Sequence, residues 1–164
     1  MRNDAAATGL SYIALAVYLA LCFAVAAVGG AVTASSVATW YANLTKPAFN
    51  PPDWVFGPVW TMLYAVIAIA GWRIWLRRRE PGAGIALGAW SLQLVLNLAW
   101  SLIFFGARMI GAALLEIVVL LAVILFTTVY FWRIDQLAGA LFVPYAMWVA
   151  FATALNAALW QLNP

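Results

Sequence analysis

The sequence predicts an all-α membrane protein, a bundle of five transmembrane helices forming a single domain over 1–164. Two observations carry this reading. Hydrophobic residues make up 68% of the chain and charged residues 8%, whereas a soluble domain carries about a quarter charged. The few charges are also spaced as punctuation: residues 5–45, 54–72, 81–107, 117–132 and 136–164 contain none. A bilayer core takes about 20 apolar residues per helix, and these intervals have that length. Barrel strands would instead show alternation over roughly ten residues.

The elements follow in order. The first apolar run predicts a helix over 10–32, longer than the 7–15 apolar residues of a cleavable signal, so it is read as a retained span. A lid-like loop is expected over 33–54, beginning with small polar residues and ending in a proline- and aromatic-rich stretch. Further spans are expected over 55–76, 84–105, 109–132 and 137–160. Pro58 falls in the first turn of the second span, where proline is tolerated. Arg2, Arg73, Arg77, Arg78, Arg79 and Arg133 lie on one side of this topology, and Lys46 and Arg108 on the other. The positive-inside rule then puts the N-terminus inside and the loop 33–54 outside. The Arg77–Arg79 run reads as an orientation and headgroup anchor, with an anionic-ligand site as the minor alternative, and the basic charge is a membrane feature before a nucleic-acid one.

Several chemistries are excluded at once. The chain has no histidine and one cysteine, Cys22. It cannot build a His-ligated zinc or haem, a His-based triad or an intrachain disulfide.

Polar groups inside hydrocarbon are costly and usually functional. At 1.5 Å rise per residue, Glu116 lies roughly 10 Å deep, Asn97 roughly 13 Å and Asn156 roughly 6 Å from the outer face. All three fall in the outer half. Trp72, Trp75, Trp132 and Trp160 sit at span ends, as an aromatic belt would place them, and Trp90 is assigned no role. Residues three or four apart share a helix face. The second span therefore presents Trp60, Tyr64 and Ile67 together. The third presents Gln93, Asn97, Trp100, Ser101 and Phe104, and the fifth Tyr145, Trp148, Ala152 and Asn156. Three mixed aromatic–polar stripes directed at the outer half predict a pocket for a large, flat, mostly apolar ligand. The bland alternative is interhelical packing. Glu116 is read as a structural partner to backbone or asparagine, with a proton relay as the alternative. Gly84 and Gly88 form a GxxxG pair, suited either to a dimer surface or to packing inside the bundle.

The loop carries Trp40-Tyr41, Lys46-Pro47, Pro51-Pro52 and Gly57-Pro58-Val59-Trp60. The third span carries Gln93, Asn97 and Trp100 followed by Phe104-Phe105-Gly106-Ala107-Arg108, and the fifth Val143-Pro144-Tyr145, Trp148 and Ala154-Leu155-Asn156. These motifs resemble the translocator protein family, also described as the tryptophan-rich sensory protein or peripheral benzodiazepine receptor family. The short C-terminus resembles its bacterial members. The resemblance implies a five-helix bundle, commonly a homodimer paired through the third helix. It implies no required cofactor. The ligands it implies are porphyrins such as protoporphyrin IX, or haem, together with cholesterol and benzodiazepine-site compounds, bound in a pocket under the first loop. By motif, the implied ligand-binding positions are Tyr41, Pro51, Phe56, Trp60, Tyr64, Asn97, Trp100, Ile117, Trp148 and Ala152. Trp60 and Trp148 match tryptophans implicated in porphyrin photodegradation, which is chemistry of the ligand and not enzyme activity. The implied setting is a bacterial inner membrane, with the outer membrane as alternative.

The sequence departs from the family pattern at three places. Phe49 stands where tryptophan is common, and Leu102 where proline is common. Ala157 replaces the tyrosine of the cholesterol-recognition pattern with no basic residue after it, so weak cholesterol binding through that motif is expected. The competing functional readings are a proton-coupled transporter using Glu116 and a regulatory or structural membrane partner.

Overall fold

The computed structural model describes residues 2–163, with side chains from Leu10 onward. Five helices are long and apolar enough to cross a membrane, and no strand occurs among the described residues. They are α1 (Arg2–Val37), α2 (Phe56–Leu76), α3 (Ala83–Ser101), α4 (Ile110–Ile134) and α5 (Gln136–Leu162). The protein is an integral, multi-pass membrane protein. Around the bundle α1 packs on α2, α2 on α5, α5 on α4, α4 on α3, and α3 back on α1. The ring order is therefore 1-2-5-4-3.

The first helix runs five residues further than expected, to Val37, and shortens the loop. The polar run at its end stays helical because its hydroxyls bond back along the helix. Thr33 Oγ1 donates to the Gly29 carbonyl at 2.8 Å and Ser35 Oγ to Val32 at 2.7 Å. Such back-bonding hides polar groups without leaving the helix. Ser36 Oγ donates instead across the bundle, to the Phe105 carbonyl at 2.8 Å. The loop that remains contains two short 3₁₀ turns, Tyr41–Asn43 and Asp53–Val55.

Ser36 meets α3 where its geometry changes. Leu102–Gly106 forms a π turn, closed by Ala107 N–H donating to the Leu102 carbonyl at 2.8 Å. It forms with Leu102 at the position where the resemblance implies proline, and Leu102 faces outward. The wider turn lets the adjacent Phe104 and Phe105 both point inward, their ring centroids 4.8 Å apart. Arg108 ends the turn with φ 58°, in the left-handed region that non-glycine residues seldom occupy.

Trp90, unassigned from sequence, is a packing anchor of the inner half. Its indole fills a hollow left by Gly71, where a Cβ would stand 2.7 Å from the ring. Its Nε1–H donates to the Ile67 carbonyl at 3.0 Å, and Tyr18 covers it at 4.8 Å.

At the inner face a single residue, Asp135, separates α4 from α5. Its Oδ1 accepts from Leu137 N–H at 2.9 Å and Ala138 N–H at 3.1 Å, capping α5. Arg73 reaches its other oxygen at 2.8 Å and Arg77 pairs with the same carboxylate. Arg77 is thus committed to the fold, and the headgroup-anchor reading of the arginine run is left with Arg78, stacked 4.1 Å over Trp75, and Arg79. Asp135 is buried, and removing one side of a buried ion cluster costs about 3–5 kcal/mol. Asp135→Ala should lower unfolding stability in detergent by about that amount. A loss below about 1 kcal/mol would place the cluster among solvated surface pairs.

Candidate ligand cavity

A cavity of about 480 Å³ opens in the outer half between α1, α2, α3 and α5, beneath the loop. Its size falls in the range of about 300–1,000 Å³ usual for small-molecule sites. Each wall has its own chemistry. α2 contributes Phe56, Trp60 and Tyr64, one turn apart on one face. α3 contributes Asn97, Trp100, Ser101 and Phe104, and α5 contributes Trp148, Ala152 and Asn156. α1 contributes only small or short side chains along its Ala26–Ala34 stretch. The loop closes the top with Tyr41 and Asp53.

A hydrogen-bonded chain forms the floor. Tyr64 Oη donates to Asn97 Oδ1 at 2.6 Å, and Asn97 Nδ2 donates to Tyr145 Oη at 3.0 Å. Tyr145 Oη donates to Gln93 Oε1 at 2.8 Å, and Gln93 Nε2 to the Trp90 carbonyl at 2.9 Å. One turn outward, Trp100 Nε1–H donates to Asn156 Oδ1 at 3.1 Å, while Asn156 Nδ2 donates to the Ile110 carbonyl at 3.0 Å. The wall's amide groups are therefore already engaged. Trp148 is the exception: its indole nitrogen is shielded from solvent and has no partner among the described residues.

The lid is fixed by its own contacts. Tyr41 is buried against Phe105 at 5.8 Å and Phe104 at 6.3 Å, with Lys46 Nζ 4.6 Å from its ring centroid. Its hydroxyl donates to Asn50 Oδ1 at 2.7 Å. Burial, with a smaller push from the Asp53 carboxylate, raises that hydroxyl to about 12 from an ordinary 10.0. It therefore stays a protonated donor throughout neutral and mildly alkaline pH. Asn163 at the far end of the chain holds the loop from the other side. Its amide accepts from Thr45 N–H at 2.9 Å and donates to the Thr45 carbonyl at 3.0 Å. Phe49 packs edge-on to Phe151 at 6.2 Å.

Of the ten positions singled out from sequence, the structure gathers Tyr41, Phe56, Trp60, Tyr64, Asn97, Trp100, Trp148 and Ala152 around this cavity. Pro51 and Ile117 are placed elsewhere. Pro51 shapes the loop, its carbonyl accepting from Asn50 Nδ2 at 3.0 Å. Ile117 belongs to α4, which stands behind α3 and α5, and is buried in the central core. Glu116, its neighbour, is half-buried with both carboxylate oxygens shielded and unpartnered among the described residues. The expected partnership with backbone or asparagine is absent, and Asn97 and Asn156 are engaged elsewhere, in the floor and wall. Arg108 forms no ion pair with it. Sequence reasoning missed the α1 wall, Phe105, and Asp53 at the mouth. The small-residue run from Gly29 to Ala34 was the available signal for the first of these.

A model of the TspO/MBR family matches residues 18–161. The chain belongs to that family. The tryptophan-rich protein TspO of Chlorobaculum tepidum is 40% identical over 159 residues, covering 93% of this chain and 97% of that one. The tryptophan-rich sensory protein of Cereibacter sphaeroides is 38% identical over 146 residues, 89% of each. The human translocator protein is 41% identical over 129 residues, 76% of this chain and 75% of its own.

The buried floor makes a direct prediction for this TspO/MBR member. Asn97→Leu orphans the Tyr64 hydroxyl and should destabilise by about 1–3 kcal/mol. Adding Tyr64→Phe should recover part of that loss. Thermal unfolding of both single variants and the double variant measures the coupling, and strict additivity would mean the two side chains act separately.

Proposed function

We propose that this protein is a membrane receptor for large, planar, mostly apolar ligands, tetrapyrroles foremost, held in the outer-half cavity. The observation that carries the reading is the combination of aromatic walls with a donor, Trp148 Nε1–H, that is shielded from solvent and has no partner among the described residues. The ring of a porphyrin stacks on indole and phenol faces, and a polar edge of the ligand accepts the Trp148 hydrogen bond. Protoporphyrin IX or haem enters as ligand and not as resident cofactor, since no histidine is available to hold iron. Benzodiazepine-site compounds share the required chemistry of aromatic body and carbonyl edge. The names of the relatives, translocator and sensory protein, support a binding or signalling role over an enzymatic one. The bacterial inner membrane is the compartment most consistent with a helical bundle.

The transporter reading has one observation in its favour, the unpartnered Glu116 carboxylate. Glu116 does not line the cavity, however, and equilibrium binding should not depend on its charge.

Titration of purified protein with protoporphyrin IX, followed by tryptophan fluorescence, tests the receptor reading. Wild type and Glu116→Gln should quench saturably with equal affinity. Trp60→Phe/Trp148→Phe should bind more weakly than the loss of two fluorophores explains. Linear quenching, identical in all three, would mean partition into detergent and would end the proposal.

We also propose a homodimer through α3. Gly84 and Gly88 are exposed, and a Cβ at either would meet nothing within the chain. They do not pack inside the bundle, and Gly88 opens onto an apolar groove with Leu92 of α3 and Val119 and Phe126 of α4. Gly84→Leu/Gly88→Leu should leave thermal stability intact and abolish the crosslinked dimer in membranes. A dimer that survives both substitutions would place the interface elsewhere.

A further inference from the structure

Among the described residues, the cavity lining contains a single formally charged side chain, Asp53. It sits at the mouth, exposed, in the short turn that precedes α2. No cation forms a salt bridge with it among the described residues. Lys46, the cation of the same loop, does not line the cavity and stands over the Tyr41 ring instead. Asp53 and Tyr41 line the mouth together, so a group entering there comes within the reach of the carboxylate's charge. The rest of the lining carries no formal charge among the described residues, and its donors without a partner, Trp148 Nε1–H and the Ser101 hydroxyl, are neutral, so no cation deeper in the cavity offsets a negative charge brought in by a ligand.

We propose that Asp53 sets the charge specificity of the cavity: it admits planar apolar ligands whose mouth-facing edge is neutral or cationic and discriminates against those carrying a carboxylate or sulfonate there. This rests on the ligand-receptor reading above and narrows its ligand class. The physical basis is a repulsive element built against the wrong ligand. A ligand seated with its acceptor on Trp148 and its other edge at the loop brings that edge beside the Asp53 carboxylate. Esterified, amidated or amine-bearing tetrapyrroles satisfy this rule. A free dicarboxylate porphyrin does so only when its acidic edge points away from the mouth. The ordinary structural role of an acid at this place is to complement the N-terminal end of α2. That role predicts a stability effect with no dependence on ligand charge.

Two probe pairs separate these roles. One pair is protoporphyrin IX and its dimethyl ester. The other contains no tetrapyrrole: anilinonaphthalene sulfonate, which is anionic, and N-phenyl-1-naphthylamine, which is neutral. Binding is measured by tryptophan quenching in a neutral detergent at low salt, on wild type, Asp53→Asn and Asp53→Glu. Asp53→Asn should tighten the anionic member of each pair by about two- to fivefold, the range of an exposed charge interaction, and leave the neutral member unchanged. Asp53→Glu should restore discrimination. The gain should shrink in 1 M salt, where screening acts over about 3 Å. Parallel changes in both members of a pair, or no change in either, would overturn the charge rule. If the naphthyl pair obeys the rule while neither porphyrin saturates, the tetrapyrrole assignment falls and the charge rule stands. Failure of all four probes to bind saturably would overturn both.

Discussion

The hydrogen-bonded chain Tyr64–Asn97–Tyr145–Gln93 is the constraint on which the rest of the outer half depends. All four side chains are buried, so each member needs a partner from another helix. Tyr64 belongs to α2, Asn97 and Gln93 to α3, and Tyr145 to α5. Satisfying all four at once fixes the rotation of three helices about their own axes. A helix turned by one residue would move its polar group by about 100° and leave the others orphaned.

That rotation decides what stands above. Trp60 is one turn outward from Tyr64, Trp100 one turn outward from Asn97, and Trp148 one turn outward from Tyr145. Because α2 runs inward and α3 and α5 run outward, the three offsets point the same way. The indoles that wall the cavity are therefore consequences of the floor beneath them. α1 supplies the contrast. With Gly29, Gly30 and Ala34 where a large side chain would fill the space, it leaves the hollow open. At the inner end the reverse choice holds: Trp90 fills the Gly71 hollow, and Asp135 draws Arg73 and Arg77 together. One end of the bundle is packed shut and the other is left hollow by the same helices.

The fold was legible in the chain because hydrocarbon allows few exceptions. Charge-free runs of bilayer length have no other stable reading in a helical protein, and the five expected spans match the five helices within a few residues at nearly every end. The largest differences are in the first helix, which begins at Arg2 and ends at Val37, and its C-terminal end is the instructive one. There, hydroxyls in the run after Val32 bond back to the helix, so polarity alone was a poor marker of where the helix stops. The polar–aromatic stripes were also legible, since three-and-four spacing places Trp60 with Tyr64 and Asn97 with Trp100 on any helix. Pro51 and Ile117 show the limit of motif matching. One shapes the lid and the other lies behind the cavity, and neither fact is local to its own helix.

The sequence by itself determined that the chain spans a membrane, the number of spans and the faces that carry indole and amide groups, because these follow from transfer energies and helical geometry one segment at a time. Only the tertiary structure decided that α1 is the hollow wall and that α4 stands outside the cavity, leaving Glu116 unpartnered. Only it made Trp90 a wedge against Gly71, Asp135 the partner of Arg73 and Arg77, and Asp53 the one charged side chain in the cavity lining among the described residues. Each of these depends on which helices are neighbours in the ring, and neighbourhood is a property of how all five faces are satisfied together.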